Sequence, residues 1–145
     1  MSIKVSKFRV AIYGVVIENG TVLMTETKVP GGTYMNFPGG GLELGEEPIE
    51  ALAREFKEET GLQIVVKELL YASQRFQQNP DYPNEQLMHL YYKVERASGD
   101  LLVAGNNDDV LGSAWIAPQM TSDMRIAPVD AEFIESEVFA SLFVG

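Results

Sequence analysis

The stretch GGLELGEEPIEALAREFKEETGL, residues 40–62, joins a glycine-rich turn to an acidic helix and decides the fold. A helix is predicted over Glu47–Thr60, because Pro48 suits a first turn and Gly61 suits a C-terminal stop. At about 100° per residue, four apolar side chains fall within one arc that should pack on a sheet: Ile49, Leu52, Ala53 and Phe56.

Three carboxylates of the same helix, those of Glu55, Glu58 and Glu59, have i, i+3 and i+4 spacing and predict an acidic ridge opposite or nearly opposite the apolar face. Like charges at this spacing cost about 0.2 to 0.5 kcal/mol per pair. The helix dipole adds about 0.3 to 1 kcal/mol for each carboxylate. A divalent cation would remove this repulsion. Oxygen-only ligands favour Mg²⁺, with Mn²⁺ as a substitute. The alternative is a solvated face of i,i+3 and i,i+4 ion pairs that also involves Glu50, Arg54 and Lys57.

The composition limits the class of protein. With 145 residues, 46% of them hydrophobic, the chain is expected to form one domain, 1–145. No cysteine is present, so disulfides, thiolate metal sites and a cysteine nucleophile are excluded. A formal net charge of -10 argues against binding to nucleic-acid polymers or anionic membranes. The absence of a long apolar run and of a secretory signal predicts a soluble, cytoplasmic protein.

The flanking sequence predicts strands on both sides of the helix. Phe8–Ile17 and Val22–Thr25 are expected to form a hairpin around Asn19-Gly20, followed by a glycine and proline loop over Pro30–Gly45. Further elements are predicted after the helix: strands at 62–72, 86–94 and 110–117, a hairpin turn at 98–100, and one C-terminal helix over 129–143. This order is typical of a mixed sheet covered by helices.

The full spacing of residues 40–62 is Gly-x5-Glu-x7-Arg-Glu-Phe-x-Glu-Glu-x-Gly-Leu, from Gly40 through Glu46 and Arg54 to Leu62. This segment resembles the Nudix box, and the preceding run 36–41 resembles the usual lead-in of that superfamily. The aromatic Phe56, at a position that is usually aliphatic, is the one mild departure. The resemblance implies an α/β fold, more closely an α/β/α sandwich with a mixed, curved sheet and a loop–helix–loop motif. It also implies a Mg²⁺-dependent pyrophosphohydrolase that acts on a nucleoside diphosphate derivative.

The resemblance also implies residue roles. Glu58 and Glu59 would be the principal metal ligands, Glu55 a further ligand or the general base, and the Gly40 carbonyl a possible ligand. Arg54 would orient Glu55 with the help of Glu46, and Gly61 would end the helix. The metal would position the diphosphate and lower the pKa of the attacking water.

Residues outside the box give weaker indications. Asp108 and Asp109 are candidates for an additional base or ligand, with Glu85 as a weaker alternative, although Asn106–Asp109 is also an ordinary loop sequence. Arg75 is a candidate for phosphate binding, as are the more ambiguous Arg9 and Lys28. Tyr34, Phe37 and Phe76 could stack on a base, whereas buried aromatics more often fill a core. His89, in an apolar strand, is assigned no catalytic role.

The substrate class stays open between a nucleoside triphosphate and an ADP-ribose-like molecule, and nucleotide sugars rank after these two. The box does not decide between them, because the flanking loops determine which group attached to the diphosphate is bound. Two alternatives to an enzyme are a non-catalytic Nudix-like module that binds a nucleotide or protein, and a structural protein with an acidic helix face. An exposed edge strand would permit a homodimer.

Overall fold

The computed structural model describes residues 4–102 and 110–144. Its elements, in chain order, are β1 (Lys7–Val15), β2 (Ile17–Glu18), β3 (Thr21–Val29), β4 (Gly32–Asn36), β5 (Gly39–Gly41), α1 (Pro48–Thr60), β6 (Gln63–Ala72), β7 (Glu85–Ser98), β8 (Val110–Ile116), a 3₁₀ turn (Pro118–Asp123), α2 (Pro128–Ile134) and α3 (Glu137–Ser141). No helix in these ranges is long and apolar enough to cross a membrane.

Two four-stranded sheets form the centre of the fold. The first has the order β5-β1-β7-β6, in which β1 and β7 are parallel and the other pairs are antiparallel. In the second sheet β3 lies between β4 and β8, and β2 pairs with the start of β3. The mixed sheet and the α/β fold class expected from the sequence are therefore confirmed.

Strand β1 separates two hydrophobic cores, because successive side chains of a strand point to opposite faces. Ala11 and Tyr13 belong to one core, which also contains Phe133 of α2 and Phe139 of α3. The other core contains Ile12 from the opposite face of β1, Val16 directly after this strand, and Leu52 and Phe56 from α1. Helix α1 thus covers one side of β1 while α2 and α3 cover the other, which gives three layers.

The predicted N-terminal hairpin was wrong in its pairing. Asn19 and Gly20 do form a turn with positive φ angles, yet the hairpin around it joins only the two-residue β2 to β3. Strand β1 instead pairs with β5 and β7. The segment 30–45, which was predicted to be a loop, contains the two strands β4 and β5. Its abundance of glycine is typical of a loop, so the sequence does not indicate these strands.

Two later expectations were also wrong. No hairpin follows Ser98-Gly99-Asp100 within the described residues, because β8 pairs with β3 rather than with β7. The predicted C-terminal helix is divided into α2 and α3. Ser136 begins the second helix, and its side chain accepts a hydrogen bond from the Phe139 N–H. The predicted strand at 110–117 corresponds closely to β8.

Candidate active site

Helix α1 has the ends that the sequence predicts. Pro48 lies in its first turn, and Gly61 has a left-handed φ of 79° while its N–H donates to the Lys57 carbonyl. Leu52 and Phe56 are fully buried. Ile49, by contrast, is 45% exposed, so the packed face is narrower at its N-terminal end than predicted.

Glu55, Glu58 and Glu59 of α1 have different environments and do not form a ridge opposite the core. Glu59 is 7% exposed, and its Oε1 accepts a hydrogen bond from the Gly39 N–H at 3.1 Å. The side chain of Glu55 is 24% exposed and that of Glu58 is 56% exposed. At about 100° per residue, Glu59 lies only about 20° from Leu52. The acidic side of the helix therefore adjoins the packed side, which places Glu59 against the first sheet.

Arg54 is surrounded by carboxylates. Its Nη2 donates to Glu46 Oε2 at 2.9 Å, and its Nη1 donates to Glu55 Oε1 at 3.3 Å and to Glu58 at 3.5 Å. Glu46 also accepts from the Glu43 N–H at 2.8 Å. That backbone hydrogen bond, followed by the one from Arg54, lowers the pKa of Glu46, and the hydrogen bond to Glu46 raises the pKa of Arg54. Arg54 thus joins the loop before α1 to the carboxylates on its surface.

The glycines of β5 let side chains approach the backbone from both sides. A Cβ atom on Gly40 would lie 3.4 Å from Cδ of Glu55, on the side of α1. A Cβ atom on Gly41 would lie 2.6 Å from Cζ of Arg9, which β1 presents in line with Tyr13. The backbone of Gly40 and Gly41 consequently separates the Glu55 carboxylate from the Arg9 guanidinium.

A cavity of about 630 Å³ is lined by Arg9, whose guanidinium lies against Gly41. Its walls come from β1, from the end of β3 and from β4, from the loop before β7, and from the start of α2. The lining residues include three aromatic or imidazole rings, two arginines and a carboxylate: Tyr13, Tyr34, His89, Arg9, Arg125 and Asp130. A cleft of this volume is in the range of small-molecule binding sites.

A buried polar cluster lies at one wall of the cavity. The Tyr91 hydroxyl donates to Asp130 Oδ1, and His89 Nδ1 lies 3.3 Å from the same oxygen. The rings of Tyr13 and His89 are 4.7 Å apart. Burial, followed by the charge of Asp130, raises the pKa of both Tyr13 and Tyr91. Both phenols therefore stay protonated near neutral pH, and Asp130 presents a carboxylate to the cavity.

Sequence reasoning missed Asp130, although a signal was present. Asp130 precedes Phe133 by three residues and therefore lies on the apolar side of a predicted amphipathic helix. A carboxylate on a packed face needs a polar partner. Its partners, His89 and Tyr91, lie on a strand about forty residues earlier in the chain.

Glu132 holds the end of β6 against α2. Its carboxylate accepts hydrogen bonds from the Tyr71 hydroxyl at 2.7 Å, the Gln74 N–H at 2.8 Å and the Arg75 N–H at 3.1 Å. Burial opposes ionisation, but these hydrogen bonds and the charge of Arg75 outweigh it and lower the pKa of Glu132. This carboxylate fixes α2, and with it Asp130, to the first sheet.

Of the other candidate residues from the sequence, some line the cavity and others do not. Tyr34 and Glu85 line the cavity. Arg75 is exposed and does not line it. Phe37 is fully buried beside Tyr91, Phe133 and Phe139, so it packs in the core and does not face the cavity as a base-stacking residue would. Asp108 and Asp109 lie outside the described residues.

The donor chemistry around Gly40 fits a hard divalent cation, because carboxylate and carbonyl oxygens are its preferred ligands. Glu55 lies beside Gly40, and Glu59 is bonded to Gly39. Within residues 4–102 and 110–144, no three carboxylate or imidazole side chains converge closely enough to enclose an ion unaided. Glu58 is engaged by Arg54 in this arrangement.

Comparisons with known proteins agree with this geometry. The family model described as NUDIX domain matches residues 7–136. A MutT-like protein of Streptomyces ambofaciens is 29% identical over 122 residues, which is 84% of this chain and 71% of the relative. The MutT protein of Methanosarcina mazei Go1 superposes with a TM-score of 0.76 at 15% identity, covering 94% of this chain and 96% of that one. The E. coli ORF135 protein gives a TM-score of 0.74 at 19% identity, covering 94% and 91%.

Proposed function

The chain belongs to the Nudix pyrophosphohydrolase family, and on that premise we propose that it hydrolyses a phosphoanhydride bond in a nucleoside diphosphate derivative, either a nucleoside triphosphate or an ADP-ribose-like molecule. One observation carries this proposal. The short strand β5 has the Glu55 and Glu59 carboxylates next to Gly40 and Gly39, and next to Gly41 it has Arg9, which lines the 630 Å³ cavity. A nucleoside in the cavity would have its phosphates next to the acidic helix.

The box residues would hold the cation. Glu58, Glu59 and the Gly40 carbonyl are the proposed ligands of Mg²⁺, for which Mn²⁺ can substitute, and of the two roles open to Glu55 we assign it that of the general base. When bound, the ion would neutralise the diphosphate and make water more acidic. The Gly39 N–H keeps Glu59 on the sheet side of α1, and Arg54 holds Glu55 and Glu58 on the outer side.

Proton transfer in this scheme uses a side chain of the box. Glu55, beside Gly40, accepts a proton from the attacking water, whose oxygen forms a bond to phosphorus. The bond from phosphorus to the bridging oxygen breaks, and the second phosphate or phosphoryl group leaves with that oxygen. No covalent intermediate with the protein is required.

The cavity would hold the nucleoside. Tyr34 and Tyr13 supply aromatic surface, and the Asp130 carboxylate offers an acceptor for N–H groups at the edge of a base. Because Asp130 is held by Tyr91 and His89, this acceptor has a fixed position.

A substrate screen tests the proposal. Wild type should release phosphate or pyrophosphate from at least one nucleoside triphosphate, or AMP and ribose 5-phosphate from ADP-ribose, with Mg²⁺ and not with EDTA. Glu59→Gln should lower kcat at least about 100-fold, because the substitution removes a charge from the proposed cation site. Glu50→Gln, at an exposed position of the same helix, is the matched control and should keep wild-type activity. Equal, metal-independent product release by wild type and Glu59→Gln would refute the proposal.

A further inference from the structure

Arg9 lines the cavity and also lies against Gly41 of the Nudix box. It is exposed on β1, lines the cavity, and its guanidinium occupies the space that a side chain at position 41 would fill. A glycine at 41 therefore gives Arg9 access to the backbone of the box.

The Arg9 guanidinium has no hydrogen bond or ion pair with any residue in the described part of the chain. The situation of Arg54 and Arg96 is different, since both are paired with glutamates. The charge of Arg9 opposes the rise in the pKa of Tyr13 and Tyr34, two tyrosines that line the same cavity. In a chain with a formal net charge of -10, an arginine without a carboxylate partner at the cavity is available to an anionic ligand.

The positions of Arg9 and Glu55 determine the order in which a ligand that enters from the cavity would meet them. The two side chains lie on opposite sides of Gly40 and Gly41, so an anionic group that enters from the cavity meets the guanidinium before it meets the carboxylate. A guanidinium stays charged at any physiological pH and can bind two phosphate oxygens at once.

We propose that Arg9 binds the phosphate that carries the nucleoside, and that it does so without a metal ion. The inference rests on the proposed function, because it takes the ligand of the cavity to be a nucleotide. Arg9 is then a cationic contact to substrate on the cavity side, where Arg125 also lines the wall, and it favours nucleotides over unphosphorylated nucleosides.

The test measures the gain in affinity that a phosphate supplies. AMP, GMP, CMP and UMP, and the four corresponding nucleosides, are titrated in EDTA by calorimetry or by quenching of tyrosine fluorescence. Wild type should bind the monophosphate of its preferred base at least about tenfold more tightly than the nucleoside. In Arg9→Ala this ratio should fall close to one while affinity for the nucleoside is retained. Arg9→Lys should keep part of the ratio, since a lysine keeps the charge and loses the planar donor pair.

Lys67→Ala is the matched control, because it removes one positive charge from the exposed strand β6. It should keep the wild-type ratio, and thermal unfolding should show that all variants are folded. The inference is overturned if wild type shows no phosphate-dependent gain in EDTA, if Arg9→Ala keeps it, or if Lys67→Ala loses it equally. The gain in affinity is measured without turnover, so it can persist in a protein that fails the hydrolysis screen, which separates the two proposals.

Discussion

Gly39 and Gly41 belong to the same three-residue strand, but a methyl group would meet different neighbours at the two positions. Gly39 has a φ of 146°, and a Cβ there would lie 2.8 Å from the Cα of Tyr13. At Gly41 the obstacle is the end of the flexible Arg9 side chain. A rigid backbone cannot yield, whereas a guanidinium can rotate away.

We therefore expect Gly39→Ala to lower the free energy of unfolding by about 2 to 4 kcal/mol, from strain in the backbone and steric overlap with β1. Gly41→Ala should cost less than about 1 kcal/mol. Urea unfolding of both variants and of wild type measures the difference. Similar losses in the two alanine variants would show that β5 moves as a unit and that the position of Arg9 is not set by the absence of a side chain at residue 41.

At the level of elements, α2 depends on one carboxylate for its attachment to β6. Glu132 receives three hydrogen bonds, and its pKa is lowered in the folded protein. A glutamine would offer one oxygen where the carboxylate offers two. Its amide group would face donors, so Glu132→Gln should cost about 1 to 3 kcal/mol at pH 7.

The pH dependence of this loss follows from the direction of the pKa shift. A lowered pKa in the folded state stabilises the protein above the ordinary glutamate pKa of 4.5, and this contribution disappears as the pH falls through the lower, folded value. The difference in Tm between wild type and Glu132→Gln should therefore be largest near pH 7 and should narrow below pH 4.5. Glu135→Gln, exposed at the end of α2, is the control and should show neither effect. A difference that stays constant down to pH 3.5 would contradict this role of Glu132.

The elements also show what the sequence can predict. Helix α1 was predictable because its signals are local: Pro48 and Gly61 mark its ends, and Leu52 and Phe56 mark its packed side. Strands β4 and β5 were not predicted, because a run of glycines has no apolar alternation and only pairing with β3 and β1 makes it a strand. The polar cluster at the cavity wall is harder still to predict from the sequence, because the hydrogen-bond partners of Asp130 lie on β7, far from it along the chain.

On the scale of the whole molecule, the two cores share β1 and should unfold together. The backbone of β1 pairs with β5 and β7, while its side chains alternate between the core that contains α1 and the core that contains α2 and α3. Loss of either core would leave one face of β1 exposed to water. A chain of 145 residues with this arrangement is expected to unfold in a single cooperative step.

The aromatic residues supply a separate probe for each core. Trp115, the only tryptophan, packs against the core of α1, as does Tyr92, whereas the other core contains Tyr13 and Tyr91 and has Tyr71 packed against it. The tyrosine signal therefore reports mainly on the core of α2 and α3. Tryptophan fluorescence and the near-UV circular dichroism of the tyrosines should give the same midpoint in urea, within experimental error. If the tyrosine signal were lost at a lower urea concentration than the fluorescence, the layer of α2 and α3 would be a separate folding unit. The wall of the cavity that carries Asp130 could then open while the acidic helix stays folded.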